Sequence, residues 1–396
     1  MLLSRKHRTS RLPSAVRVLI AARAVNRLGA FSLPFLGLLL VRDLSADLVD
    51  VGRLLAAFGV ASIASRLLGG WLCDRWSARA TMVTGLVATA ASQLAIAAST
   101  TIPRVTVGVL ALGLAFEIYE PPSQALIADL TAPEQHAAAY GLLGGTLAAA
   151  GMAAGLIAAA VAPLGLRWLF VVDATSCLAC ALVVAAVLPR RQQPSRPAAT
   201  DDETAAARAR AWRDSRLLAL LVVGTVFATV YLQVTVTLPL TLAERGLAPS
   251  SLGLLLTVSA ATIALGQPAL RRRSWSARPF VAMGAGYVLL AAGMGLNGVA
   301  TTRPGFAAAT VVWSVGDLLL LGHAYAVVVS IAPAYARGRY LSTYGLSWGL
   351  AAVLAPVAGT QLLAHLGPAG FWAVVAGVAA SLALVQPALH RHLAPR

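Results

Sequence analysis

Charge is scarce in this chain. Only 12% of its 396 residues are Asp, Glu, Lys or Arg, against roughly 25% in a soluble domain. Lys6 is the single lysine among 31 basic residues. Cysteine is equally rare. Cys177 and Cys180 have a C-x-x-C spacing but sit in an apolar stretch. Small buried side chains are the plain reading there, and redox or metal work is not expected. No phosphate loop, H-E-x-x-H run or zinc spacing occurs, so no metal, cofactor or enzymatic activity is expected. No polar stretch reaches the roughly 100 residues of a typical domain, so an ATP-driven pump is not expected either.

What the chain has instead is apolar length. Its hydrophobic fraction is 58% and its mean hydropathy is +0.77. About 20 apolar residues cross a bilayer as a helix. Backbone groups in lipid must be bonded internally, which favours helices. Barrel strands would alternate over shorter segments, and no such pattern is present. Gly, Pro and charge clusters divide the sequence into twelve expected helices, at 16–41, 51–73, 80–99, 105–130, 138–162 and 167–188, then at 216–241, 251–270, 279–300, 305–332, 339–365 and 370–389. The basic run Ser4 to Arg8 reads as the approach to the first membrane helix, since the apolar segment behind it is too long for a signal-peptide core.

The net charge of +16 does not point to nucleic acid, because the basic residues recur in short loops between apolar stretches. At one end of the helices lie 22 of them, including Arg75, Arg79, seven arginines of the central loop and Arg271 to Arg273. The other end has six: Arg42, Arg53, Arg104, Arg167, Arg245 and Arg303. The richer side is expected to be cytoplasmic, which places both termini inside. The long polar segment 189–215 splits the chain into six-helix halves, 1–188 and 216–396. Trp76-Ser77-Ala78-Arg79 recurs as Trp275-Ser276-Ala277-Arg278, and Gly85 and Gly284 keep the same offset of 199 residues. A repeat at equivalent loops of two halves is what parallel six-helix repeats produce.

The loop after the second helix reads Gly70-Trp71-Leu72-Cys73-Asp74-Arg75-Trp76-Ser77-Ala78-Arg79. It resembles the signature G-x-L-x-D-R-x-G-R-R of the major facilitator superfamily. Gly70, Leu72, Asp74, Arg75 and Arg79 match; Ser77 and Ala78 depart. Pro122 to Asp129 is similar to that family's P-x-x-A-x-x-A-D, and Gly165 to Phe170 to its G-W-R-W-x-F. Gly316-Asp317 and Arg337-Gly338-Arg339-Tyr340 resemble the second half of drug:proton antiporters. Leu156 stands where the antiporter signature of helix 5 has the proline of a Gly-Pro pair, and the signature Arg of helix 4 is absent. The resemblance implies an all-α membrane fold of two pseudo-symmetric six-helix bundles. It also implies a cavity lined by helices 1, 4, 7 and 10, and a gating loop containing Gly70, Asp74, Arg75 and Arg79.

Ionisable groups at bilayer depth cost about 2.5–3.5 kcal/mol on insertion scales, so they are candidates for function. Arg23, Asn26 and Arg27 share one face of helix 1. Gly113, Glu117, Glu120 and Gln124 form one stripe of helix 4. Arg27 lies about 11 residues, hence about 16 Å, from the cytoplasmic end, and the two glutamates share that depth. Either Arg23 and Arg27 pair with Glu120 and Glu117 to hold the helices, or a carboxylate there exchanges a proton for substrate. Asp317, in helix 10, is the second proton candidate, and His323 is badly placed to neutralise it. Gln233 is the cavity candidate of helix 7. Asp173 is expected to pair with Arg167.

The expected function is proton-driven export of a lipophilic or cationic small molecule. The alternatives are proton-coupled uptake of a nutrient and a receptor or scaffold that does not transport. The partners are then a small-molecule substrate, protons and the lipid bilayer, and the protein acts as a monomer. Alanine and arginine richness is the compositional habit of high-GC bacteria, so a bacterial plasma membrane is the expected location.

Overall fold

The computed structural model describes residues 12–131, 136–188, 212–270, 279–332 and 337–393. Every regular element among them is helical. Helix α1 (Ser14–Gly29) follows Pro13 and stops before α2 (Leu33–Leu44), whose first turn holds Pro34. Proline suits that position because its missing N–H would be unbonded anyway. Ser45, in the left-handed region, ends α2. Asp47 then caps α3 (Leu48–Arg75) by accepting from the Val49 amide at 2.9 Å. Ser77 does the same for α4 (Ala78–Ala98), accepting from Ala80 at 3.1 Å.

The expected fourth span is broken in two. Helix α5 (Ile102–Phe116) ends at Glu117, and α6 (Glu120–Leu130) begins three residues later. Pro121 and Pro122 are the cause: neither can donate to the carbonyl four residues back, so the turn through Glu117 loses its continuation. The Glu117 amide also donates to Ser65 Oγ of α3, at 2.9 Å. The first half ends with α7 (His136–Val161) and α8 (Leu166–Val187).

In the second half the described helices are α9 (Ser215–Val236), α10 (Leu238–Glu244), α11 (Ser250–Leu270), α12 (Pro279–Val299), α13 (Arg303–Ile331) and α14 (Arg337–Leu393). Asp214 caps α9 and accepts from Tyr340 Oη of α14 at 2.8 Å. Partial burial raises its carboxyl, but the bonds from Arg216 and Tyr340 outweigh that and hold it below the usual carboxylate range. The seventh span breaks at Thr237, just before Pro239 of α10. Helix α14 is interrupted at Gly367 (φ 64°), followed by Pro368. This separates the two spans expected at 339–365 and 370–389.

Nine helical stretches among the described residues are long and apolar enough to cross a bilayer, and two shorter apolar helices accompany them. Leu67, Val107, Leu182, Leu265 and Leu384 stand exposed on the outside, as lipid-facing side chains do. Lipid is as apolar as leucine, so close packing of small residues holds such helices together. Helix α8 packs against both α1 and α4, and α12, α13 and α14 pack on one another. The two sets meet where α3 crosses α14 and α7 crosses α11. Glycine permits both crossings. A Cβ at Gly59 would stand 2.5 Å from the Ala352 carbonyl, and one at Gly253 2.5 Å from the Ala159 amide. The Gly253 contact lies where α7 finishes and α11 begins. The repeat Trp275 to Arg278 lies outside the described residues.

Candidate functional site

A cavity of about 870 Å³ lies between the two sets of helices. Its first-half wall is charged. Arg23, Asn26 and Arg27 do share a face of α1, and Arg23 and Arg27 line the cavity with Glu117 and Glu120. Arg23 is 5% exposed. Its guanidinium donates to Glu120 Oε2 and to Ser123 Oγ, each at 2.5 Å, and lies 4.9 Å from the centre of the Tyr119 ring. Gln124 donates to the other Glu120 oxygen at 2.9 Å.

Glu117 has a different partner from the one the sequence pointed to. Arg66, on α3, stands 3.7 Å from its Oε2. Glu117 stands at the break between α5 and α6, and both it and Glu120 line the cavity. Arg66 escaped the sequence reading, although it was a charge inside an apolar span. Arg27 makes no ion pair among the described residues. Its charge acts on Tyr231 of α9, across the cavity.

The other sequence candidates are placed as follows. Asn26 donates to Cys177 Sγ at 3.2 Å and is buried. Asp173 is not paired with Arg167. It accepts from Ser32 Oγ at 2.6 Å, while Arg167 stands 3.8 Å from Asp43 and donates to the Ala97 carbonyl at 2.9 Å. The kink at Ala30–Ser32 brings Ser32 over α8, which six residues of spacing along that helix could not reveal. Cys177 and Cys180 are buried free thiols, as expected. Gln233 is 3% exposed and does not line the cavity. Its amide donates to the Thr229 and Ala355 carbonyls, both at 3.1 Å, tying α9 to α14.

Asp317 lies behind the second-half wall. It is 1% exposed, and neither carboxylate oxygen has a hydrogen-bond partner among the described residues. Gly316 packs on Gly286 and Leu290 of α12. Ser314 donates to Ser259 of α11 at 2.9 Å, and Ser259 lines the cavity. Asp317 also lies within charge range of Tyr231. His323 bonds to the Leu319 carbonyl of its own helix at 2.7 Å, away from Asp317.

Of the expected gating loop, Gly70 to Arg75 end α3 and Arg79 lies in the first turn of α4, where it donates to the Ala185 carbonyl of α8. Arg75 stacks 4.8 Å from the Trp71 ring. A Cβ at Gly70 would meet nothing. Asp74 ends α3 with its neighbours, but its side chain lies outside the described residues.

A helical bundle that crosses the bilayer many times, with a charged cavity between its halves, is the architecture of a multi-pass membrane transporter. A profile of the Major Facilitator Superfamily matches residues 19–322, and the chain belongs to that family. It is 24% identical over 367 residues to the "Uncharacterized MFS-type transporter YhjO" of Bacillus subtilis (strain 168), covering 90% of this chain and 88% of that one. Among solved structures it is similar to a POT family transporter in complex with a thioalcohol-conjugated peptide. There the TM-score is 0.79 at 12% identity, over 97% of both chains. The nucleoside transporter NupG gives a TM-score of 0.78 at 12% identity, over 96% of this chain and 100% of that one. At these identities the structural likeness speaks for the fold alone.

Proposed function

We propose that this protein is a proton-coupled secondary transporter that exports a small lipophilic molecule by alternating access. The observation that carries the proton coupling is Asp317, a carboxylate buried beside the cavity wall with neither oxygen bonded among the described residues. A structural acid is paired; an unpaired one at this depth carries its full cost unless it takes up a proton. Export is supported by the likeness of the Gly70–Arg79 loop to the superfamily signature and of Gly316-Asp317 to antiporters. Leu156 at the place of the antiporter proline favours uptake as the second reading. Cationic cargo is not carried into this proposal, because Glu117 and Glu120 already face arginines.

The proposed architecture is twelve membrane helices in two bundles, 1–188 and 216–396, joined by the linker 189–215. The nine long stretches, the two shorter apolar helices and the break at Gly367 support it. The basic asymmetry supports cytoplasmic termini in a bacterial plasma membrane. Reporter fusions after Arg191 and after Arg391 should both give a cytoplasmic signal, and a periplasmic signal at either breaks the scheme. A single chain contains the whole cavity, so the monomer is the proposed working unit. Gly70, Asp74, Arg75 and Arg79 are proposed to steady the loop that gates the exchange.

Flux in proteoliposomes tests the function. With a pH gradient imposed and dyes, drugs and sugars screened, at least one compound should move together with protons. Its direction separates export from uptake. Failure of every compound to move, with or without protons, would favour the receptor or scaffold.

A further inference from the structure

The cavity is electrically lopsided. Among the described residues, every charged side chain that lines it comes from the first half. The second half contributes Tyr231, Leu232, Val236, Leu256, Ile263 and Pro356 among others, none of them charged. Within the charged wall the acids are engaged. Glu120 receives Arg23, and Glu117 faces Arg66. Asp173 accepts from Ser32 and is buried against Cys177.

Arg27 is therefore the cation left over. It is exposed into the cavity, with no ion pair among the described residues. Gly151 of α7 is its near neighbour: a Cβ there would lie 3.7 Å from Arg27 Nε. A glycine offers that guanidinium no side-chain partner. Opposite stands Tyr231, half-buried and within range of the Arg27 charge. A guanidinium is a planar fork of donors that fits a carboxylate or phosphate through two parallel bonds. An isolated cation at mid-membrane depth costs about 2.5–3.5 kcal/mol on insertion scales, a cost that an arriving anion would offset.

We propose that Arg27 is the anion subsite of the cavity and that the cargo is an amphiphilic anion. Its single carboxylate or phosphate sits on Arg27, and its apolar body lies along α9 and α11. This rests on the reading of the cavity as the transport site and names the chemical class that site takes. A volume of about 870 Å³ is in the range of pockets that enclose drug-sized molecules, about 300–1,000 Å³. Arg66 is not the subsite, since Glu117 already draws on it. Arg23 is spent on Glu120 and Ser123.

Equilibrium binding to the purified full-length protein in neutral detergent tests this without any pH gradient. A failure of proton coupling and a failure of the anion subsite are thereby kept apart. The probes are 1-naphthylacetate, its amide, and 1-naphthylethylamine, which share an aromatic body and differ in charge. Wild type should hold the carboxylate about tenfold more tightly than the amide, equivalent to about 1.4 kcal/mol, and the amine least. Arg27→Gln should erase that preference while leaving amide affinity unchanged. Arg27→Lys should restore part of it. Arg53→Gln, a charge removed from an exposed Asp50–Arg53 surface pair, should keep the full preference. Each variant is compared only as a single monodisperse peak on size exclusion. A preference for the amine, no measurable carboxylate binding, or a carboxylate preference that survives Arg27→Gln would overturn the proposal. Displacement of naphthylacetate by phosphatidylglycerol in mixed micelles, with no effect of neutral lipid, would assign the site to a lipid headgroup and overturn it as a cargo subsite.

Discussion

Asp317→Asn is expected to bring pH-driven net flux down to the level of protein-free liposomes while sparing exchange of labelled substrate at equal pH. The amide keeps the shape of a protonated carboxyl but can neither take nor release a proton. Asp317 is 1% exposed and both its oxygens lack partners among the described residues. Losing the ability to ionise therefore breaks no ion pair there, and folded yield should not fall. No described residue of α13 itself bonds the carboxylate. Tyr231 of α9 lies within charge range of it. The measurement is internal pH, followed with a trapped dye, beside counterflow in the same purified variant. Loss of both activities would make Asp317 part of the binding site and not of coupling. Wild-type coupling in the triple Glu117→Gln, Glu120→Gln, Asp317→Asn protein would eliminate all three carboxylates as proton carriers.

Arg23→Gln should be the most destabilising single change in the charged wall. The Arg23 side chain is 6% exposed and that of Glu120 is 23% exposed. Removing one partner of a buried pair costs about 3–5 kcal/mol, because the other charge stays behind without compensation. The low end, about 3 kcal/mol, is expected here, since Glu120 is partly open to the cavity and keeps Gln124. Removing both charges should be far milder than removing one. Arg23→Gln with Glu120→Gln should therefore regain most of the folded yield, read as the monodisperse fraction after heating. Arg27→Gln should keep wild-type yield, because no acidic group among the described residues pairs with it. The opposite pattern, with Arg27 essential to folding and Arg23 dispensable, would mean that the pairing shown here is not the one the protein uses.

The shared depth of Arg23, Arg27, Glu117 and Glu120 was legible before any coordinates. It follows from counting residues along helices of fixed rise. Their helical faces were legible in part. The α1 face survives because no residue between Arg23 and Arg27 interrupts the helix. The α5 stripe is interrupted, because Pro121 and Pro122 withhold two amide donors and the helix breaks at Glu117. That break had a sequence signal, a Pro-Pro pair inside an apolar span. Arg66 had one as well, as a lone charge in α3. Gln233 had none. A glutamine on the predicted face of helix 7 looks the same whether it meets a cavity or the carbonyl of Ala355.

Composition and apolar run length by themselves determined that this chain is an all-helical membrane protein, and its motifs pointed to the family. The reason is that a bilayer imposes one solution on any segment of sufficient apolar length: all backbone groups bonded within the helix. Partner choice between helices was decided only by the tertiary structure. Lipid and protein interior are equally apolar, so no hydrophobic gradient along the sequence tells a lipid-facing leucine from a buried one. Arg23 meets Glu120 across 97 positions, and Ser32 meets Asp173 across 141. Glycine contacts such as Gly59 on Ala352 set which helices come close enough for such pairs to form. Arg27 has no acid among the described residues for the same reason: packing sets its face across the cavity from Tyr231, and no periodicity within α1 contains that fact.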